Sequence, residues 1–525
     1  MNYIQGRDRH QTIQLPELLD DYITEENPVR FIDAFVEQLD LEKLEFQHSH
    51  LNSTGRPPYN PADLLRLYIY GYTNRVRSSR GLEKEAGRNL EVMWLIRKLK
   101  PDYKTIADFR KDNLEAIKGV WKQFLVLCKR MEMFGAELVA IDGSKFRAVN
   151  SKQRNFNEKK LERSIKYIEE KIDSYAKQLD EQDALESEQQ SPTAVELKEK
   201  IEKLKERKHN YENLTEKLKA SGQTQISLTD PDSRLMSMGK GADVCYNVQS
   251  VVDEKHKLIV VADVTNEVSD QAQLSKMAKE AKAVLGVEKI EALADTGYYD
   301  GSEVKECEKA GISCYIPKAN TSANTKLGLF GKEKFIYQEE KDSYLCPAGE
   351  ELTYRYETME QGRQIRYYTT SAGTCRNCPL RAQCTRNKKN RRITRWVDES
   401  ILEQMQKRME ADPEKYKKRK CIVEHPFGTI KRWMDQSYFL MRGIEKVRAE
   451  ICLTAMAYNI KRLITILGVK RMVEAVSKVD LLLFSSKMFM EKFQIRVEKF
   501  LLNSFQWLWS LFYSSFHTVW RCSRV

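Results

Sequence analysis

The N-terminal stretch MNYIQGRDRHQ has neither the basic flank nor the apolar core of a secretory signal. The chain is therefore expected to stay in the cytoplasm, where its eleven cysteines remain reduced and disulfides are not expected. Long apolar runs are scarce as well. The segment from Phe500 to Trp520 carries no formal charge and holds Trp507, Trp509 and Trp520, but Asn503, Gln506, His517 and several serines make it a poor membrane span. It reads as a non-catalytic appendage, and no membrane association is expected. One further absence is local: between Arg376 and Arg395 there is no Asp or Glu, whereas eight residues are basic.

What is present in quantity is charge. The 525 residues include 88 Lys and Arg against 76 Asp and Glu, a net charge of +12, which favours an anionic partner. The acid-free stretch, with Arg391 and Arg392 near its end, resembles a stripe that contacts phosphates. A solvated loop is the alternative. The same region holds Cys346, then Cys375, Cys378 and Cys384, a C-x2-C pair with a further thiol on each side. This arrangement is a candidate four-thiolate zinc site, although the gap from Cys378 to Cys384 exceeds the usual spacing, and reduced, unliganded thiols are the other reading.

Two segments repeat one phrase. ELVAIDGSKF, residues 137–146, runs apolar through Leu138, Val139, Ala140 and Ile141 to Asp142 and a Gly-Ser pair. KIEALADTGYYD, residues 289–300, leads through Ile290, Ala292, Leu293 and Ala294 to Asp295 and Thr296-Gly297. Each apolar run predicts a buried strand with its carboxylate at or near the C-terminal edge. A single such Asp is readily explained as a turn former, since it bonds its own backbone; the repetition favours two carboxylates delivered to one end of a sheet.

The order of elements supports this. Residues 1–134 read as a helical N-terminal domain, with Arg75, Arg77, Arg80 and Lys84 clustered between two helical stretches; a DNA-binding domain fits, and ordinary helical packing is the alternative. Residues 135–320 read as the first part of a catalytic core. Inside it, Leu161, Ile165, Ile168, Ile172, Tyr175 and Leu179 alternate at three and four residues and predict a helical hairpin inserted over 155–220. With the hairpin removed, the order is β-β-β-α-β-α-β, with Asp270 as candidate cap of the first helix. The expected fold is α/β: an RNase H-like mixed sheet with a helical N-terminal domain, the inserted hairpin and a Cys-rich β insertion. That insertion, over 321–400, is followed by helices over 401–470 and by the appendage, 471–525.

Metal-assisted phosphoryl transfer calls for several hard oxygen ligands. A third acid, Glu424, lies in DPEKYKKRKCIVEHPFGTIKRWMDQ, where Asp412 and Pro413 open a helix, Pro426 should kink it, and Lys431 follows Glu424 two turns later. These residues, together with AIDGSKF, TDPDSRLMSMGKGADVCYNVQ, ALADTGYYD, CPLRAQCT and AMAYNIKRL, resemble the DDE transposases of bacterial insertion sequences over roughly residues 10–470. The resemblance implies an RNase H-like core in which Asp142, Asp295 and Glu424 bind catalytic Mg²⁺ or Mn²⁺. It further implies cleavage and strand transfer at the ends of a mobile element. Tyr416, Arg419, Lys431 and Arg432 would contact DNA. Partners would be the terminal inverted repeats and target DNA, in a homodimer, and the location the bacterial nucleoid. The chain departs from the family pattern where four residues, not three, separate Arg419 from Glu424 and Lys420 stands in the usual Arg position. An RNase H-like nuclease without strand transfer and a catalytically silent DNA-binding derivative are the alternatives.

Overall fold

A computed structural model describes residues 18–50, 57–183, 192–239, 241–318, 323–387 and 389–478. The appendage beyond Lys478, with its tryptophan-rich segment, lies outside the described residues, as does Lys388. The chain divides into two compact units: one is residues 1–133, 434–436 and 448–525, the other 134–433 and 437–447.

The first unit is helical, as expected: α1 (Pro28–Glu37), α2 (Pro61–Thr73), α3 (Ser79–Arg88), α4 (Leu90–Leu95), α5 (Tyr103–Asp112) and α6 (Leu114–Arg130). Asn27 and Asn60 cap α1 and α2, each with its side-chain oxygen accepting a backbone N–H and a proline at the first helical position. Aromatic rings fill the interior, with Phe35 edge-on to Phe124 and Tyr68 stacked on Phe109. Arginines are buried too. Arg66 meets Asp33, Glu37 and Asp63 at 2.8, 2.6 and 3.3 Å, and Arg110 donates to the Tyr72 hydroxyl. Arg77 belongs with these: it is buried and faces Glu450 at 3.5 Å, so its charge is balanced inside the unit rather than offered to a ligand.

The second unit opens with β1 (Leu138–Arg147), followed by the short β2 (Asn155–Asn157) and by the hairpin helices α7 (Glu158–Asp183) and α8 (Pro192–Ser221). Ion pairs Glu158–Lys219 and Glu169–Lys208 match early residues of α7 to late residues of α8, which makes the hairpin antiparallel. Its base is closed by β2 pairing with β3 (Gln225–Ser227) and by Phe156, Leu161 and Leu218. The chain continues through β4 (Arg234–Met238), β5 (Gly241–Asp253), β6 (Ile259–Thr265), α9 (Leu274–Leu285), β7 (Ile290–Leu293), α10 (Gly301–Lys309) and β8 (Ile312–Tyr315).

These strands form one mixed sheet of order β4-β5-β1-β7-β8, with β6 also on β5. Strands β4, β1 and β6 run antiparallel to β5, while β1, β7 and β8 are parallel. A second, five-stranded antiparallel sheet, of order β13-β12-β11-β10-β9, is built from β9 (Ile336–Gln338), β10 (Ser343–Leu345), β11 (Glu351–Glu360), β12 (Arg363–Thr369) and β13 (Arg392–Trp396). Helices α11 (Glu399–Ala411) and α12 (Pro413–Gly428) follow, and α12 passes into a π-helical turn over Thr429–Trp433.

One expectation is corrected. Asp142 is not at the edge of its strand, because Gly143 and Ser144 do not turn: they pair with Gln249 and Val248, and β1 runs on to Arg147. The long antiparallel partner β5 supplies hydrogen-bonding groups that keep this glycine extended.

Candidate active site

The parallel pairing of β1 with β7 ends at Ala140 and Leu293, two residues before each acid. Asp142 and Asp295 therefore stand where the ladder has stopped. Both also bond their own backbone: Asp142 Oδ1 accepts from Gly143 N at 3.0 Å, and Asp295 Oδ1 accepts from Gly297 N at 2.8 Å, capping a 3-10 turn over Thr296–Tyr298. The turn-forming role is thus real, and it leaves Asp295 Oδ2 available.

One cation faces both acids. Arg419 Nη1 lies 3.7 Å from Asp142 Oδ1, and Nη2 lies 3.9 Å from Asp295 Oδ2. Burial pushes the Asp142 carboxyl up to about 6; the Arg419 guanidinium opposes this shift, and the charge of Asp295 adds to it. Two carboxylates that face one guanidinium form an electronegative site for a cation.

Arg419 is carried by α12, which Asp412 caps by accepting from Lys415 N at 3.0 Å ahead of Pro413, as the sequence predicts. Tyr416 is one turn earlier on the helix. Burial raises its pKa, and the nearby Arg419 charge opposes the shift. Glu424 departs from expectation. Its side chain is 63% exposed and stands 3.9 Å from Lys420. Among the described residues, no three His, Cys, Asp or Glu side chains are spaced to hold a metal ion.

Glu424 and Lys431 meet different surroundings: Glu424 is exposed, whereas Lys431, within the π-helical turn, reaches β1. Its ammonium donates to Ser144 Oγ at 2.6 Å and to the Lys145 carbonyl at 2.9 Å, over the Phe146 ring. Burial lowers its pKa. It braces β1 with two of its three protons. Arg432, next to it, is exposed.

Sequence reasoning missed a buried network on the other face of β1. Asp270 does not cap a helix with its side chain. Its Oδ1 accepts from Asn247 Nδ2 at 2.6 Å and Gln249 Nε2 at 2.7 Å, and Lys145 stands 3.6 Å away. The fully buried Tyr298 hydroxyl in turn donates to Gln249 Oε1. Gly143 leaves room for this: a Cβ there would lie 2.6 Å from Gln249 Nε2 and 2.7 Å from Asp270 Oδ1. The turn after Asp295 is thereby tied to β5. The signal in the sequence is the pair Asn247 and Gln249, two amides at strand spacing within an otherwise apolar run.

In the second sheet, Cys346, Cys375, Cys378 and Cys384 line one small cavity of about 30 Å³. Glu350 N donates to Cys346 Sγ at 3.3 Å, and the Thr370 hydroxyl lies 3.6 Å from Cys375 Sγ. Burial raises the Cys384 thiol, and the three other thiols act on it in the same direction. The expectation for Arg391 is corrected. It is buried, stacks over Phe335 and donates to the carbonyls of Cys384 and Phe330. Its charge holds the insertion together. Arg392 is exposed and lines a cleft of about 620 Å³ with Arg355, Arg376, Arg381 and Lys389, and no carboxylate is among its described lining residues.

Comparison with known families now bears on this site. The transposase DDE domain family matches residues 345–464, a span that holds the four thiols, Arg419, Glu424 and Lys431. A second family, described as a transposase domain (DUF772), matches residues 17–112 of the helical unit. The resemblance to insertion-sequence DDE transposases, carried by the sequence motifs, is thereby shown. The two matched spans lie in different parts of the chain and together cover less than half of it. Asp142 and Asp295 fall outside both matched spans. No curated protein matches the chain. The cryo-EM structure of a piggyBac transposase synaptic complex with hairpin DNA aligns with 88% of this chain and 82% of its own at 8% identity, with a TM-score of 0.31. At that score it assigns nothing to this chain.

Proposed function

We propose that this protein is a DDE transposase with an RNase H-like core that cleaves and joins DNA at the ends of an insertion sequence. The observation that carries the reading is the delivery of Asp142 and Asp295, by neighbouring parallel strands, to one shared cation. Arg419 is a stand-in that tests the pair: two carboxylates accept positive charge between them, and hard oxygen donors suit Mg²⁺ or Mn²⁺. When bound, such an ion activates a water or a DNA 3′-hydroxyl and neutralises charge at the phosphorus. Glu424 is assigned as the third ligand by its motif alone.

The chain's own residues have complementary work. Lys431 and the Asp270 network fix the strand and turn that carry the two acids, and Arg432 faces solvent for a phosphate. The cleft lined by Arg376, Lys389 and Arg392 suits a DNA backbone, and the helical unit would read the terminal repeats. The four thiols line one cavity and are the donor type of a structural Zn²⁺, which would draw them closer than they now stand. A homodimer acting in the bacterial cytoplasm completes the reading.

The exposure of Glu424 favours one second reading, a catalytically silent DNA-binding derivative. A labelled duplex ending in the element's terminus, with Mg²⁺ or Mn²⁺, separates the two when run beside a gel shift. Wild type should cut, while Asp142→Ala, Asp295→Ala and Glu424→Ala should each abolish cutting and leave binding largely intact, because binding sums many modest phosphate contacts. Near wild-type cutting by any one variant removes that acid from the site. No cutting by wild type, with binding intact, favours the silent derivative.

A further inference from the structure

We propose that Arg419 is a resident cation of the carboxylate pair, one that a divalent metal must displace and that DNA draws away. The inference rests on the transposase reading above and adds a coupling between metal and DNA to it. Three observations converge. The guanidinium spans both acids, one nitrogen toward each, at 3.7 and 3.9 Å. Those separations are ion-pair contacts rather than hydrogen bonds, and Nη1 is buried with no hydrogen-bond partner at all. The side chain is 18% exposed, so a charge is held under cover without the bonds that would fix it there.

A planar fork bonds a carboxylate or phosphate best through two parallel N–H groups. Arg419 meets neither acid that way. Its contacts balance charge and are weak in geometry, which is what a displaceable group requires. In DNA-free protein, a metal and the guanidinium compete for the same oxygens. A phosphodiester at the mouth of the site offers Arg419 the bidentate contact it lacks, and its departure uncovers the pair. DNA and metal then favour one another, and by linkage the effect is reciprocal.

The test is binding of Mn²⁺ to the full-length protein by titration calorimetry, with and without a non-cleavable end duplex, so no step depends on turnover. In wild type the duplex should tighten Mn²⁺ binding by at least about fivefold, the low end of common coupling between sites. In Arg419→Gln, DNA-free Mn²⁺ binding should be tighter by a similar factor, and the effect of DNA on it should vanish. Melting of metal-free Arg419→Gln should fall below wild type and recover on adding Mn²⁺. If Arg419→Gln is insoluble, Arg419→Lys serves: a single ammonium cannot span two acids, so it should hold the pair less well and bind Mn²⁺ more tightly than wild type. Equal or weaker DNA-free Mn²⁺ binding by the variant overturns the inference and leaves Arg419 as a DNA contact or a brace. Absence of Mn²⁺ binding by wild type, even with DNA, overturns the transposase reading itself.

Discussion

In the sheet that carries Asp142 the buried residues are mostly aliphatic, with Val139, Ala140, Ile141, Val251, Val252, Val260, Val261, Ala292 and Leu293 at 2% exposure or less. In the insertion, the buried cluster is Phe335, Tyr344, Leu352, Tyr368 and Ile393, with Cys346 and Cys384 packed against it. The first sheet is closed by helices and has apolar surface enough to hold itself. The second leans on rings and charges: Arg395 sits 3.7 Å over the Tyr337 ring and pairs with Glu403 of α11, and Lys332 meets Glu399 at 2.6 Å. So small a core is marginal alone, and small cores are commonly stapled by metals or disulfides. A structural metal held by the four thiols would supply stability that so small a core lacks.

Removing two of the thiols should separate the two sheets most strongly. With Zn²⁺ bound, purified protein should hold about one zinc per chain, and Cys375→Ser with Cys378→Ser should lose it. Hydrogen exchange should then open β9 to β13 while β1, β5 and β7 stay protected, since structural zinc supplies folding energy directly. Freshly reduced protein that contains no zinc would end the claim.

Next in size is a cavity in the insertion core. Leu352 is fully buried, and Leu352→Ala should cost about 2–5 kcal/mol. Urea unfolding should split into two transitions, with the insertion melting first. A single cooperative loss of both sheets would mean that the insertion is not separately held.

Much of the larger sheet was legible in the sequence. The apolar runs before Asp142 and Asp295 became β1 and β7, the heptad-like stripe became the α7–α8 hairpin, and Asp412-Pro413 opened α12 as expected. What escaped was direction. A sequence gives the charge of Arg77, Arg391 and Lys431 but not that each points inward, because burial of a cation depends on acids, carbonyls or rings contributed by distant segments: Glu450, Phe330 and Ser144. Gly143-Ser144 read as a turn for a related reason, since only the register with β5 keeps it extended. Asp270 read as a cap because its amide partners lie more than twenty residues away.

A smaller effect sits in the larger sheet. The Asp142 carboxyl, at about 6 in the folded protein, lies above its value of 3.8 when unfolded, so the folded state binds the proton more tightly. Metal-free stability should therefore fall as pH rises from about 4 to about 6, and Asp142→Asn should remove that slope and leave the protein more stable at pH 7 by at most about 3 kcal/mol. Denaturant midpoints of the two proteins across this range give the difference. Equal pH slopes in the two would place Asp142 in contact with water.

The smallest test compares one hydroxyl from each sheet. Tyr298→Phe removes the donor to Gln249 Oε1, and both residues are fully buried, so an amide oxygen is left without a partner or water; the expected loss is about 1–3 kcal/mol. Tyr368→Phe removes a 2.6 Å bond to Asp342, whose side chain is 40% exposed and is also approached by the Tyr337 hydroxyl at 2.8 Å. Water can take the vacated position, and the loss should be about 1 kcal/mol or less. Because Tyr298 belongs to the turn that Asp295 caps, loss of its hydroxyl should also loosen that acid and weaken Mn²⁺ binding, whereas Tyr368→Phe should leave Mn²⁺ binding unchanged. If the two variants lose equal stability and neither alters Mn²⁺ binding, the buried network behind β1 is packing alone and does not position the acid.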